Sequence, residues 1–154
     1  MISLRPFRPE DHEFLFQLYA VTRQQEISAW GWSNEQQEAF LRMQFNAKQR
    51  SYEMTYEGTE HQIVMLDENP IGRIMVLRRP EAALLVDIAL LPEHRGRGIG
   101  GGLVRELIEK CNKDKVAVRL QVLKTNPAQR LYERLGFLRI GEDELYFRME
   151  RQAG

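Results

Sequence analysis

Five of the eight residues from Arg95 to Gly102 are glycine, in the order Arg-Gly-Arg-Gly-Ile-Gly-Gly-Gly. Each glycine inside a helix costs up to about 1 kcal/mol against alanine, so a helix would not begin this way for its own stability. What glycine offers is a backbone without a Cβ: left-handed angles are open, and consecutive N–H groups can turn toward an anion. An apolar run ends just before this segment, and Ile99, Leu103, Leu107 and Cys111 follow it at one-face helical spacing. A strand, a glycine loop and a helix N-terminus would aim amide donors and the positive end of a helix dipole at one point. That arrangement suits capture of a phosphate or diphosphate.

Two nucleotide-binding patterns can be tested against the loop. An NTPase phosphate loop needs lysine and then serine or threonine after its last glycine. Leu103 and Val104 stand there, which excludes it. Gly96, Gly98 and Gly101 do satisfy the dinucleotide spacing, but that site wants an acid about twenty residues further on to bind ribose. Leu123, Lys124 and Thr125 occupy that place, so a dinucleotide-binding domain stands as a weaker alternative.

Other residues carry potential chemistry. Asp87 is the only charge between residues 82 and 91. A carboxylate on a buried strand needs a partner, or its pKa rises. It would relay a proton through water, bind a substrate ammonium, or pair structurally with an arginine such as Arg73. Tyr132 shares one helical face with Ala128, Leu131 and Leu135, as a core aromatic would. Cys111 is the single cysteine, so no disulfide framework or thiolate metal site is expected. It reads as a small half-buried helix residue. His12, His61 and His94 sit in no motif and are expected at the surface.

The elements that must hold these residues follow from periodicity and turn chemistry. Residues 2–7 read as an edge strand. Pro9, Glu10 and Asp11 suit a first helical turn, and the helix runs to about residue 27. Trp30-Gly31-Trp32 breaks the pattern, and Ser33 with Gln36 has the spacing of a capping box opening a second helix to about residue 50. Strands are expected at 62–66, 71–78 and 82–91, the last apolar on both faces and therefore central in a sheet. A helix over 98–112, a strand over 116–122, a short helix from Pro127 to Gly136 and a terminal hairpin complete the order. The expectation is one α+β domain over residues 1–154, with a mixed, mostly antiparallel sheet of about seven strands and about four helices.

Composition narrows the function classes. With 22 basic and 22 acidic residues the formal net charge is zero, which argues against nucleic acid as an obligate partner. Hydrophobic content of 43% and charged content of 29% are those of an ordinary soluble domain. No apolar stretch reaches the ~20 residues that span a bilayer, and residues 1–5 carry no hydrophobic leader, so no membrane partner and a cytoplasmic location are expected.

Residues 90–100, Leu-Leu-Pro-Glu-His-Arg-Gly-Arg-Gly-Ile-Gly, resemble the signature of the GNAT superfamily of N-acetyltransferases, Arg/Gln-x-x-Gly-x-Gly/Ala, with Arg95, Gly98 and Gly100 at its fixed positions. Residues 126–137, Asn-Pro-Ala-Gln-Arg-Leu-Tyr-Glu-Arg-Leu-Gly-Phe, are similar to the family's second signature. The two motifs cover residues 82–137; the first eighty residues match only in their order of elements. The resemblance implies transfer of an acetyl group from acetyl-CoA to a primary amine by direct attack. It also implies a central strand that bulges and splays from its neighbour, leaving a gap for the pantetheine arm.

Carried over residue by residue, the resemblance assigns the arm to the backbone of Ile88, Leu90 and Leu91. It assigns the diphosphate to the backbone of Arg95, Gly96, Arg97, Gly98, Ile99, Gly100 and Gly101. Thr125 or Asn126 would support the coenzyme from the other side, since Asn126 stands one residue closer to Tyr132 than the family spacing. Tyr132 matches the general acid that protonates the departing thiolate. Asp87 and, from the end of the first helix, Glu26 are the candidates for handling the acceptor's proton or charge. Gln121 occupies the position where ribosomal-protein-acetylating relatives carry a glutamate, and glutamine is no base. Trp30, Trp32, Tyr52 and Tyr56 would either pack on the sheet or wall the amine site, where a cation sits well over a ring. The acceptor class stays open between a small-molecule amine and a peptide amine. A homodimer through the terminal hairpin is expected on family grounds only. A non-catalytic acyl-CoA-binding sensor is the competing reading.

Overall fold

The computed structural model describes residues 1–154. The chain forms β1 (Ile2–Pro6), α1 (His12–Ser28), α2 (Asn34–Thr55), β2 (Glu60–Leu66), β3 (Asn69–Arg78) and β4 (Ala82–Leu90). It continues as α3 (Ile99–Asp114), β5 (Ala117–Leu123), α4 (Ala128–Arg134), β6 (Leu138–Glu142) and β7 (Tyr146–Arg151), with 3₁₀ turns at Pro9–Asp11 and Pro92–His94. This is the order expected from the apolar spacing. The seven strands make one sheet in the order β1-β2-β3-β4-β5-β7-β6, with β4 at its centre. Only β4 and β5 run parallel; every other pair is antiparallel.

Local chemistry fixes the ends. Ser33 Oγ accepts from the Gln36 N–H at 3.1 Å while Gln36 Oε1 accepts from the Ser33 N–H at 2.9 Å, the reciprocal cap the sequence signals. Ahead of α1, Asp11 accepts two hydrogen bonds of 2.7 Å from Arg5 and one of 2.8 Å from the Arg8 N–H, tying β1 to the helix start. α2 runs five residues beyond the expected end, so Tyr52 is helical and Tyr56 is its C-cap.

The two faces of the sheet carry separate cores. α3 and α4 cover one face with Leu103, Val104, Leu107, Cys111 and Tyr132 packed on strands β3 to β5 and β7. Cys111 is fully buried there rather than half-buried, and burial pushes its thiol up. On the other face α1 and α2 close over Ile63 with Leu15, Phe16, Ile27, Leu41 and Phe45. They leave the β5-β7-β6 side open, where Gln121, Leu123, Ile140 and Arg148 are exposed. No helix is long and apolar enough to cross a membrane.

His61 departs from its surface expectation. It lies two residues before Ile63, so strand alternation turns it under α1 and α2. Its ring stacks on Phe7 at 4.6 Å and 5°, and Nε2 is buried without a partner. Burial, with Arg73 acting in the same direction, lowers its pKa from 6.5 to about 4. The fold therefore favours the neutral ring, whereas the unfolded chain charges it near 6.5. That stabilisation is complete above pH 6.5 and is lost as pH falls toward 4. Thermal melting should show a lower Tm at pH 5.5 than at pH 7, and His61→Phe should remove most of that difference. Asp11 and Glu13, held below their ordinary values by Arg5 and Arg42, add their losses only at lower pH.

Between β3 and β4 the backbones approach too closely for a side chain at Gly72. A Cβ there would overlap the Ala89 carbonyl oxygen and sit 2.7 Å from Leu90 Cδ2. Gly72→Ala should cost about 1–3 kcal/mol by overpacking, because the opposing atom is backbone and cannot rotate away. At this chain length that is a Tm loss of about 2–12 °C, readable by calorimetry.

Candidate active site

The parallel pairing of β4 with β5 begins at Ala82–Ala117 and ends at Leu85–Leu120. On the other side of β4 the register with β3 slips: Leu85 pairs with Val76 and Asp87 with Met75, leaving Val86 as a bulge. A bulge bends its strand and increases the local twist. β4 therefore continues to Leu90 without a partner on its β5 side, and the sheet opens in its middle. The Leu91 N–H donates to the Ile71 carbonyl at 2.8 Å. Strand alternation then turns the N–H and C=O of Ile88 and Leu90 away from β3, into the gap. Leu91 is corrected as a member of this set, since its N–H serves Ile71 and its C=O accepts from His94.

A cleft of about 830 Å³ lies along the opened strand, between the glycine loop and α4, and is lined by Ile88, Leu90, Gly96, Gly98, Asn126 and Tyr132 among others. Gly96 and Gly98 have φ of +75° and +79°, angles that glycine adopts readily and side-chain-bearing residues rarely do. Gly98 caps α3 in the left-handed conformation, and its C=O accepts the Gly102 N–H at 3.0 Å. The N–H groups of Gly96, Arg97, Gly98, Ile99, Gly100 and Gly101 donate to no backbone acceptor. They are six consecutive donors at the start of a helix. Arg95 differs: its N–H closes the 3₁₀ turn on Pro92 at 3.2 Å, and its Nε donates to the Leu90 carbonyl at 3.0 Å. The Arg97 side chain lies outside the cleft lining.

Tyr132 enters the cleft from α4, 7% exposed and packed edge-on against Phe137 at 5.7 Å. Burial first, and the negative charge of Asp87 second, push its hydroxyl up to about 12, and no hydrogen bond to the chain contributes. Of the two candidates beside it, Asn126 lines the cleft and Thr125 does not; Thr125 belongs to a separate polar depression. Asn126 Oδ1 accepts from the Ala128 N–H at 2.9 Å, which holds the turn into α4.

Where β4 and β5 part, a second cavity of about 270 Å³ opens on the α2 side, lined by Tyr52, Tyr56, Val86, Gln121, Tyr146 and Arg148 among others. Asp87 lines neither cavity, although its chain neighbours Val86 and Ile88 do. Its Oδ2 receives Nε of Arg73 at 2.9 Å and a second guanidinium nitrogen at 2.8 Å, and Arg73 also donates to Gln49 Oε1 on α2 at 3.1 Å. Arg73 is only 4% exposed, so this pair is an internal tie between β3, β4 and α2. Tyr52 stands over the same guanidinium at 5.6 Å.

Three expected acceptor residues are elsewhere. Glu26 is exposed and pairs with Arg23 at 3.2 Å. Trp30 and Trp32 pack edge-to-face on each other and on Phe40 at the α1–α2 turn, and line neither cavity. Of the expected aromatic wall, Tyr52 and Tyr56 reach the cavity. Sequence reasoning left Tyr146 and Arg148 out. They face Leu123 and Gln121 through the β5–β7 register, a pairing that local periodicity does not reveal.

Residues 12–137 match the sequence model of the acetyltransferase (GNAT) family. A candidate ribosomal protein bS18-alanine N-acetyltransferase of Bacillus subtilis (strain 168) is 32% identical over 85 residues, 45% of this chain and 56% of that protein. The match thus spans about half the relative's length. The PaiA N-acetyltransferase from Thermoplasma acidophilum, solved in complex with coenzyme A, superposes with a TM-score of 0.73 at 23% identity over 99% of both chains. The spermidine N-acetyltransferase from Vibrio cholerae, solved with coenzyme A and spermine, gives 0.65 at 21% identity, covering 99% of this chain and 95% of its own. At these identities the structural likeness establishes the fold.

Proposed function

The chain belongs to the acetyltransferase (GNAT) family, and from that premise we propose that it moves an acetyl group from acetyl-CoA to a primary amine. The observation that carries this is the run of six unpartnered amides, Gly96 to Gly101, beside the open side of β4. Such donors fit a diphosphate, and the turned-out N–H and C=O of Ile88, with the C=O of Leu90, fit the amides of a pantetheine arm lying like an added strand. Asn126 supports the arm from the turn that leads into α4. When bound, acetyl-CoA supplies a thioester carbon open to attack by a neutral amine.

The chain's own residues then have defined tasks. The Leu90 N–H, free in the gap, is the donor for negative charge developing on the acetyl oxygen. Tyr132 Oη holds a proton at every physiological pH and gives it up, or shares it, where sulfur departs. Asp87 acts through Tyr132: its charge helps keep that proton in place, and Arg73 fixes its position. The residues lining the second cavity include no carboxylate and no imidazole, so the acceptor must arrive neutral or lose its proton to water. The same absence favours the second reading, a non-catalytic acyl-CoA sensor.

Two measurements test the proposal. Acetyl-CoA at about 100 times its dissociation constant should add about 2.7 kcal/mol to stability. At this size that is a Tm rise of about 5–11 °C. NAD should not produce it; stabilisation by NAD alone would restore the dinucleotide alternative. Thiol release with a panel of amines then separates the enzyme from the sensor, which would be stabilised yet release none.

A further inference from the structure

The charges around the second cavity are unequal. On β5 and β7 the residues of this sheet face pair in register, Arg119 with Glu150, Gln121 with Arg148 and Leu123 with Tyr146, and of these Arg119, Gln121, Arg148 and Tyr146 line the cavity. Arg119 is neutralised, its Nε donating to Glu150 Oε2 at 2.6 Å. Arg148 has glutamine opposite it where its neighbour has an acid, and its guanidinium lies over the bare Cα of Gly141. Asp143 feels the charge of Arg148, but its carboxylate is already committed to the N–H groups of Leu145 and Tyr146. Arg148 is thus an exposed guanidinium at the cavity with no carboxylate of its own.

The rest of the lining is apolar or phenolic: Leu84, Val86, Ile140, Tyr52, Tyr56 and Tyr146. A cavity of about 150 Å³ holds a benzene ring, so about 270 Å³ admits a ring with a short arm. A polycation would bring two or more ammonium groups to a wall that offers guanidinium and no carboxylate, and like charge opposes it. A carboxylate or phosphate meets the planar fork of Arg148.

We infer that the acceptor is a primary amine carrying an anionic group on an apolar or aromatic body, and that Arg148 selects it. The inference rests on the acetyl-transfer reading for the direction of the amine, and names the substrate class of that site. A free amino-acid-like amine and the N-terminus of a peptide with an acid close behind it share this chemistry.

The test uses the full chain with acetyl-CoA and measures thiol release. 4-(2-Aminoethyl)benzoate, 2-phenylethylamine and spermidine compare amines that carry, beyond the reacting amine, an anionic group, no further charge and further ammonium groups. The peptide amides Ala-Phe-Asp and Ala-Phe-Lys make the same comparison at a chain terminus. The anionic member of each set should show kcat/KM about tenfold above its neutral or cationic counterpart, about 1.4 kcal/mol. Whichever set reacts better identifies the source. Arg148→Gln should level the series and Arg148→Glu should invert it, with the KM for acetyl-CoA unchanged. Spermidine as the best substrate, or a ranking that survives both variants, would overturn the inference.

Binding is read separately, by calorimetric titration of each amine into protein saturated with coenzyme A. Selective binding of the anionic amines with no thiol release would end the acetyl-transfer reading and leave the charge selection standing. Equal binding across the series in both variants and the parent would end the charge selection itself.

Discussion

Tyr132→Phe should lower kcat by about 10²–10⁴-fold, the usual worth of a positioned general acid. The hydroxyl is the only atom removed, and it makes no hydrogen bond to the chain. The ring keeps its packing on Phe137, so the fold and the affinity for acetyl-CoA should change little. Selective loss of kcat is therefore the signature of the acid role. The value near 12 also sets a pH signature: the phenol stays protonated through the alkaline range in which a free tyrosine would ionise near 10. The kcat profile should rise as the acceptor amine loses its proton and show no fall below about pH 11. A thiolate near 8–9 cannot take a proton outright from a group near 12, so transfer or sharing must coincide with the breaking of the C–S bond. Unchanged turnover in Tyr132→Phe would remove this residue from the chemistry.

Gly98→Val should weaken acetyl-CoA binding by about 10²–10⁴-fold. No atom lies within 4 Å of where the new Cβ would go, so crowding is not the cause. The cause is the angle: φ of +79° is one that a β-branched residue avoids at a cost of about 1–3 kcal/mol. The loop relaxes by turning, and the amides on either side of Gly98 turn with it. Each hydrogen bond to a charged group is worth about 1.5–3 kcal/mol. Loss of two accounts for about 3–6 kcal/mol, which at 1.4 kcal/mol per tenfold gives the stated range. Isothermal titration of acetyl-CoA reads the loss directly. Wild-type affinity in a folded Gly98→Val protein would mean that these amides do not hold the diphosphate.

These two positions were legible before any coordinates because their signals are local. Glycines clustered at a helix start contradict helix propensity unless the backbone itself is needed, and Tyr132 lies within a motif that also supplies the turn and the helix end. The element order was legible for the same reason, since apolar spacing of two or of three to four residues reports which faces are buried. What escaped depends on partners far away in the chain. Nothing adjacent to His61 in the sequence shows that α1 and α2 lie over it, so local pattern alone puts it at the surface. Residue type alone draws Trp30 and Trp32 toward the acceptor site, whereas geometry lets them pack on Phe40 at the α1–α2 turn. The choice between Thr125 and Asn126 turned on the direction of a tight turn. The Arg73–Asp87 tie depends on the β3–β4 register, which sets Asp87 opposite Met75 and Arg73 opposite Ala89, so that the two are diagonal neighbours. Arg148 became visible only through the crossing by which β7 enters between β5 and β6.

The interruption after Leu85 also decides where the sheet keeps its open backbone groups. Unsatisfied backbone groups along a sheet's outer rim recruit stray extended chains and seed aggregation, a hazard that folds ordinarily blunt with charge, proline or a covering helix. Here the vacancy is interior, flanked by β5 on one side and roofed by α3 and α4. The free groups there border the cleft of about 830 Å³, where an extended arm can reach them. The molecule thereby keeps a sheet's recognition capacity at its centre without offering the same surface to its own copies.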